Sequence, residues 1–385
     1  MTGRNDAMDT DVAVVGLGAW GSTALWQLAT RGVDVVGIER FGLGHAFGSS
    51  HGGSRMFRLA CLEHPGLVPL ARRSGELWAE LERTTGRRLF EPTGGLLIGP
   101  RDGHVVAGTL AAAQQHNLPV RTLDAAQLRA EYPLHASVPE HHAAVCEMTA
   151  GLLRPEEAIQ AAVAAATSSG ARVLKNTPVR GIELRGDGVL VRMPGRDLTA
   201  RQVVVTTGPW LSALVPELPV EAVRMPMTWF RPVDDPERFT MERFPVFIRE
   251  LDSGAAIWGH GAARDEDDIK LGLEDGDSTF QLVDAEQVDR SVRAADWKVL
   301  ADLLPNAVPG LGKTPSRSAI CMSTRTPDKQ FLLGRPRGDR RLIVGGGCSG
   351  HGFKHASGIG EVLADLVLGR EPAFDLSYAD PNRFL

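Results

Sequence analysis

The stretch DVAVVGLGAWGSTALWQLATRGVDVVGIE, residues 11–39, constrains this 385-residue chain more than any other. Residues 11–15 are a continuous apolar run ended by glycine, the pattern of a short strand buried on both faces. Residues 22–29 carry apolar side chains at helical spacing, Gly32 ends that helix, and residues 33–38 repeat the strand pattern. Between strand and helix stands G-x-G-x-x-G, at Gly16, Gly18 and Gly21. Gly16 permits the tight turn, Gly18 lets the backbone approach a pyrophosphate, and Gly21 lets helix and strand pack closely. The helix N-terminus offers unpaired N–H groups and a partial positive charge to a diphosphate. Glu39, at the end of the second strand, can accept hydrogen bonds from a ribose diol and disfavours a 2′-phosphate. The expectation is a dinucleotide-binding α/β fold, with FAD or NAD as ligand; the alternative is a glycine-rich turn in an unrelated α/β sheet.

Composition narrows the remainder. Apolar residues make up 43% and charged residues 23%, enough for a sizeable core. The formal charge is −5, so no broad basic field points to nucleic acid or an anionic membrane. Cys61, Cys146, Cys321 and Cys348 form neither a disulfide framework nor a C-x-x-C pair, which speaks against zinc, and no metal is expected. Residues 1–10 lack an apolar signal core, and no apolar run of about 18 residues occurs. A reduced, cytoplasmic protein is expected, without nucleic-acid or membrane partners, as a monomer or small homo-oligomer.

Residues 41–58, FGLGHAFGSSHGGSRMFR, form a long permissive loop of the kind that carries function. Arg55 and Arg58 would share one face if the segment from Ser54 is helical. They either form a solvated basic face or, given flanking Met56, Phe57, Leu59 and Cys61, are buried and need anionic partners. Residues 341–354, RLIVGGGCSGHGFK, read as a strand entering a glycine loop, and residues 355–368 as a helix. Residues 268–272, DIKLG, read as a strand with Lys270 between two apolar neighbours, and "CMSTRTPD" places Cys321 beside a polar turn.

Together, "GSSHGGSRMFR", "VPLARRSGELW", "CMSTRTPD" and "GCSGHGFKHASGIGEVLADL" resemble the monomeric sarcosine oxidase and N-methyltryptophan oxidase family, within the D-amino-acid-oxidase-like flavoproteins. The resemblance runs from Asp11 to about Tyr378. It implies an α/β fold: a Rossmann-like FAD-binding domain plus a smaller α+β substrate domain whose mixed sheet covers the flavin. It implies FAD bound covalently through Cys321, although an isolated cysteine is more often an inert apolar side chain. It implies cofactor contacts from Gly16, Gly18, Gly21, Glu39, Arg40, His45, Ser49, Ser50, Val179, Gly208, Gly347, Gly350, Gly352 and Lys354. Arg58 and Lys354 match a clamp for the substrate carboxylate. Lys270 matches a lysine beside the flavin that promotes reaction with O₂, where a cation stabilises developing negative charge. Arg55 and His351 match further catalytic positions.

Several positions depart from that pattern. Ser323 stands where the family has tyrosine, Cys61 replaces a loop tyrosine, Trp258 replaces another, and Glu274 occupies a histidine position. Glu274 either favours a cationic or polyhydroxy substrate group or points to solvent. The implied reaction is oxidation of a secondary amine, an N-methyl or other N-substituted amino acid, to an imine with O₂ reduced to H₂O₂. Fructosyl-amino-acid oxidase and cyclic imino acid oxidase are the alternatives on the same scaffold.

Helices are expected over residues 68–84 and 154–168, and an antiparallel pair over residues 178–184 and 188–193 joined by Gly-Asp-Gly. The dinucleotide domain is assigned residues 1–85, 145–215 and 310–385, and the substrate domain residues 86–144 and 216–309. The acidic run at residues 265–268 reads as solvated.

Overall fold

The computed structural model describes residues 8–264, 266–274 and 280–385. The expected strand–glycine–helix–strand unit is present. Thr10–Val15 and Val35–Ile38 are parallel neighbours, and helix Ala19–Thr30 runs between them until Gly32, at φ 77°, ends it. Strands 172–174 and 198–205 extend the parallel sheet on its two sides. The far half of Leu198–Val205 pairs in parallel with Leu342–Gly346. Its near half pairs with the antiparallel hairpin Gly181–Arg185 and Gly188–Arg192.

Strand alternation explains why this sheet is covered on both faces. Val12 and Val14 pack under helices Ala19–Thr30, Leu67–Thr85, Pro155–Ser168 and Ala356–Val367, in a core that includes Trp26 and Trp78. Ala13 and Val15 face the opposite way, beside their ladder partners Val203 and Val205 and in one cluster with Val189, Val191, Leu211, Val215 and Leu332. The two ends of the chain meet here: Trp20 Nε1 donates to the Gly352 carbonyl at 3.0 Å, and Thr23 Oγ1 to the Ala356 carbonyl at 2.7 Å.

A second, mixed sheet runs in the order 282–283, 221–230, 269–273, 256–260, 246–250, 95–100, 142–147, 121–124. Strand Arg317–Arg325 completes it along the free edge of Glu221–Phe230. That strand lies in the stretch assigned to the dinucleotide domain, yet its ladder belongs to this sheet. The outer face buries Phe230, Phe244, Phe247, Ile257, Ile269 and Leu271 against helix Lys298–Ala307. The other face is turned toward the glycine loops of the first sheet.

One expectation is corrected. Arg55–Phe57 is a strand, paired with Gly151–Leu153, not the start of a helix. Extended backbone sends residues three apart in different directions, so Arg55 and Arg58 do not share a face. In the acidic run, Asp265 lies outside the described residues; Glu266 and Asp268 face Arg317 and Arg231, at 3.3 and 3.2 Å.

Candidate active site

A cavity of about 1210 Å³ runs between the two sheets, from the Gly16–Trp20 turn to Lys354. At its first end Gly16 has φ 88°, and a Cβ on Gly21 would lie 1.8 Å from the Gly16 carbonyl oxygen. Only glycine therefore fits at Gly21. The helix after Gly18 has no side-chain cap and no acidic residue in its first turn, so its N-terminal N–H groups stay available to an anion. Glu39 is 4% exposed; its carboxylate accepts from the Leu17 and Phe41 N–H groups at 2.8 and 2.9 Å, and His45 Nε2 lies 3.4 Å away.

Other expected cofactor positions line the same space. Arg40 does so while paired with Glu286 (Nη2–Oε2 2.8 Å), and Ser49, Ser50, Val179 and Gly208 follow along the wall. Gly347, Gly350 and Gly352 form the far wall; a Cβ on Gly352 would come within 2.7 Å of the Trp20 ring. Ser49 Oγ, Thr207 Oγ1, Trp210 Nε1 and His351 Nε2 are buried without a protein partner, and their residues line the cavity. Buried polar atoms seldom go unpaired, so a polar ligand suits this space.

The second sheet supplies the roof by simple alternation. Ile269 and Leu271 pack outward, so Lys270 projects inward, only 1% exposed. Its Nζ donates to the Gly52 and Ser54 carbonyls and to Ser54 Oγ, at 2.7, 3.1 and 3.2 Å. Three acceptors match the three donors of an ammonium. Burial, then Arg55, push its pKa well below the usual lysine value, with Cys321 opposing. Gly272 and Glu274 continue on the same face. The Trp258 ring lies over Gly272, where a Cβ would be 2.2 Å away, and Trp258 Nε1 donates to the Leu273 carbonyl at 2.8 Å. Glu274 lines the cavity; burial and nearby Glu63 raise its pKa to about 7, against Arg58 and Lys354.

Cys321 is opposite Met225 across the ladder and is 3% exposed. Its Sγ lies 3.6 Å from the Gly48 carbonyl oxygen and 3.8 Å from Arg55 Nη2. Burial raises its pKa, while Arg55 and Lys270 pull it down. Arg55 also donates to the Ser49 and Ser54 carbonyls, at 2.6 and 2.7 Å. Ser323 lines the cavity two residues on, near Cys348 Sγ.

Arg58 and Lys354 do meet, but through a residue the sequence reading missed. Arg58 Nη2 and Lys354 Nζ both donate to Glu63 Oε1, at 2.6 and 3.0 Å. Burial opposes Glu63's charge, yet Arg58, Lys354 and His351 hold its carboxyl well below the usual range. Glu63 is a lone acid in "CLEH" without a motif around it; the need of buried Arg58 for an anion was the one available signal. His351 stacks on Phe331 at 4.7 Å, its Nδ1 is 3.0 Å from the Ser349 carbonyl oxygen, and burial lowers its pKa to about 4 despite Glu63.

A glycine-turned nucleotide cradle facing a walled, cation-lined cavity defines a Rossmann-type oxidoreductase. Residues 11–366 match the family profile described as "FAD dependent oxidoreductase" (DAO), and the chain belongs to that family. It is 38% identical over 378 residues to a monomeric sarcosine oxidase of Streptomyces avermitilis, covering 97% of each chain. It is 34% identical to an N-methyl-L-tryptophan oxidase of Citrobacter koseri, covering 98% of this chain and all of that one. Its fold superposes on NikD, described as an unusual amino acid oxidase essential for nikkomycin biosynthesis, with a TM-score of 0.82 at 23% identity and 97% coverage of each chain. FAD is thus the cofactor, and the glycine cradle and unpaired polar wall fit it. Among the described residues no helix is long and apolar enough to cross a membrane.

Proposed function

We propose that the protein oxidises secondary amines, namely N-methyl or otherwise N-substituted amino acids, and reduces O₂ to H₂O₂. The observation that carries this reading is the pair Arg58 and Lys354, buried cations converging on one carboxylate oxygen in the FAD cavity that Lys270 roofs. Bound FAD would supply the two-electron redox chemistry, oxidation at the carbon next to nitrogen and reduction of O₂, with an imine that water hydrolyses as the organic product. Arg58 and Lys354 hold the substrate carboxylate, at the place where Glu63 Oε1 now sits, and Glu63 yields or shares those donors. Arg55 and His351 keep the neighbouring walls in place, His351 as a neutral ring. Lys270 supplies positive charge where O₂ acquires electrons. Trp258 and Ser323 bound the pocket for the N-substituent.

Cys321 carries FAD through a thioether in this proposal. Support comes from its buried Sγ on the cavity face, with Arg55 and Lys270 lowering the cost of a thiolate. Residues 1–85, 145–215 and 310–385 hold the dinucleotide, and residues 86–144 and 216–309 meet the amine, with strand Arg317–Arg325 bridging the two. The enzyme works as a monomer or small homo-oligomer in the reducing cytoplasm.

A second reading has a specific observation behind it. Glu274 places a carboxyl group in the pocket, which suits a polyhydroxy substituent, as in a fructosyl amino acid. Peroxide release with sarcosine, N-methyltryptophan, a fructosyl amino acid and pipecolate separates the readings. No bleaching of the flavin by any of the four rejects amine oxidation. Acid-precipitated wild type should stay yellow and Cys321→Ala should give a colourless pellet; a colourless wild-type pellet rejects the thioether.

A further inference from the structure

His141, His142 and Asp252 come together at one end of the second sheet, and none of the three lines the FAD cavity. His142 opens the His142–Glu147 strand, His141 precedes it in a turn, and Asp252 follows the Val246–Glu250 strand. Both strands flank Gly95–Pro100, so their ends lie side by side. The two imidazoles stand at 84° to each other with centroids 4.7 Å apart, and both aim Nε2 at the same atom. Asp252 Oδ1 is 2.9 Å from His141 Nε2 and 2.6 Å from His142 Nε2. The backbone holding them is pinned. His142 N donates to the Pro139 carbonyl and Arg101 N to the His141 carbonyl, at 3.0 and 3.3 Å. Leu251 N donates to the Ala255 carbonyl and Gly254 N to the Leu251 carbonyl, at 2.9 and 2.8 Å.

We propose that His141 Nε2, His142 Nε2 and Asp252 Oδ1 form a binding site for a divalent transition-metal ion, of which Zn²⁺ is the test case. All three ligand atoms lie within 4.8 Å of one another, compatible with bonds of about 2.0–2.2 Å to a shared ion. Two imidazole nitrogens and one carboxylate oxygen select Zn²⁺, Ni²⁺ or Cu²⁺ over Mg²⁺ or Ca²⁺, which prefer all-oxygen shells. Binding replaces two N–H···O hydrogen bonds by metal bonds and moves each imidazole proton to Nδ1. His142 Nδ1 is buried and has no protein partner, so no second hydrogen bond locks that ring for metal. Second-shell partners of this kind strengthen metal binding about 10–100-fold, so this site exchanges its ion rather than holding it permanently. The side chains of His141 and Asp252 are 61% and 56% exposed, which gives the ion direct access from solvent.

The site has a mechanical link to the cavity. Gly254, Ala255 and Ala256, behind the Asp252 turn, line it. A bound ion ties that turn to the start of the His142–Glu147 strand and stiffens this part of the rim.

The test is calorimetric titration of Zn²⁺ into untagged, chelator-treated, flavin-loaded protein. One ion should bind in the micromolar range, and Mg²⁺ should give no heat. His141→Ala and Asp252→Asn change exposed side chains and should fold as wild type does, checked by flavin content and melting temperature. Each should weaken Zn²⁺ binding at least about tenfold. Absence of Zn²⁺ heat in the wild type, or an isotherm unchanged in both variants, overturns the site.

Discussion

At the scale of single residues, the cavity sets opposite demands on neighbouring charges. Lys270 is buried yet has an acceptor for each of its three donors. Lys270→Met should slow flavin reoxidation by O₂ by roughly 10²-fold while leaving reduction by amine within a few-fold, measured by stopped flow. Equal effects on both half-reactions reject its role. Arg58→Ala should weaken a carboxylate inhibitor by about 1.5–3 kcal/mol, the scale of a hydrogen bond to a charged group, read from flavin difference spectra. Glu274 gives a pH signature. Its folded pKa, about 7, is above the unfolded value near 4.5. The stability it contributes is therefore fully present below about pH 4.5 and is lost as pH rises through about 7. Glu274→Gln mimics the protonated form, so its melting temperature should exceed wild type by roughly 2–4 °C at pH 8.5, with the gap closing at pH 4.5. A constant gap across that range contradicts a buried, titrating Glu274.

Within elements, period and spacing decide which side chains can meet. Along Ile269–Leu273 the even positions face the cavity, and the same parity carries through Gly272 to Glu274. The choice between pocket and solvent for Glu274 was therefore already contained in its distance of four from Lys270. The Arg55–Arg58 spacing misleads for the same reason: it was read with a helical period on a segment that is extended. Loop glycines impose the opposite kind of limit. Gly21→Ala would press a methyl into the Gly16 carbonyl and Thr206 Oγ1. It should cost about 1–3 kcal/mol or more in denaturant unfolding and leave the purified protein poor in flavin. A yellow variant of wild-type stability would show that the turn relaxes freely.

Over the whole molecule, the helices under the first sheet tie the chain's N- and C-terminal segments together, and strand Arg317–Arg325 joins the cysteine segment to the roof. Ligand binding and global stability are coupled through this closure. Flavin held through Cys321 should make the wild-type melting temperature independent of added FAD. In Cys321→Ala it should rise with free FAD, by the equivalent of about 2.7 kcal/mol at a hundredfold excess over Kd. A wild-type melting temperature that tracks FAD concentration counts against the link.

Local pattern alone settled the nucleotide-binding unit, the glycine cradle, the strand that carries Lys270 and the helices under the sheet. Each rests on a strand or helix period, or on a backbone turn that only glycine tolerates, and such constraints act between near neighbours. Glu63 between Arg58 and Lys354, Cys321 beside Gly48 and Arg55, and the His141–His142–Asp252 cluster could not be read that way. Their members lie far apart in sequence or lack a spacing rule, and only tertiary structure sets their distances: loop packing around the cavity for Glu63 and Cys321, and strand order within the second sheet for the histidine cluster. Charges with no local partner acquire one in three dimensions because burial makes an unpaired charge too costly to keep.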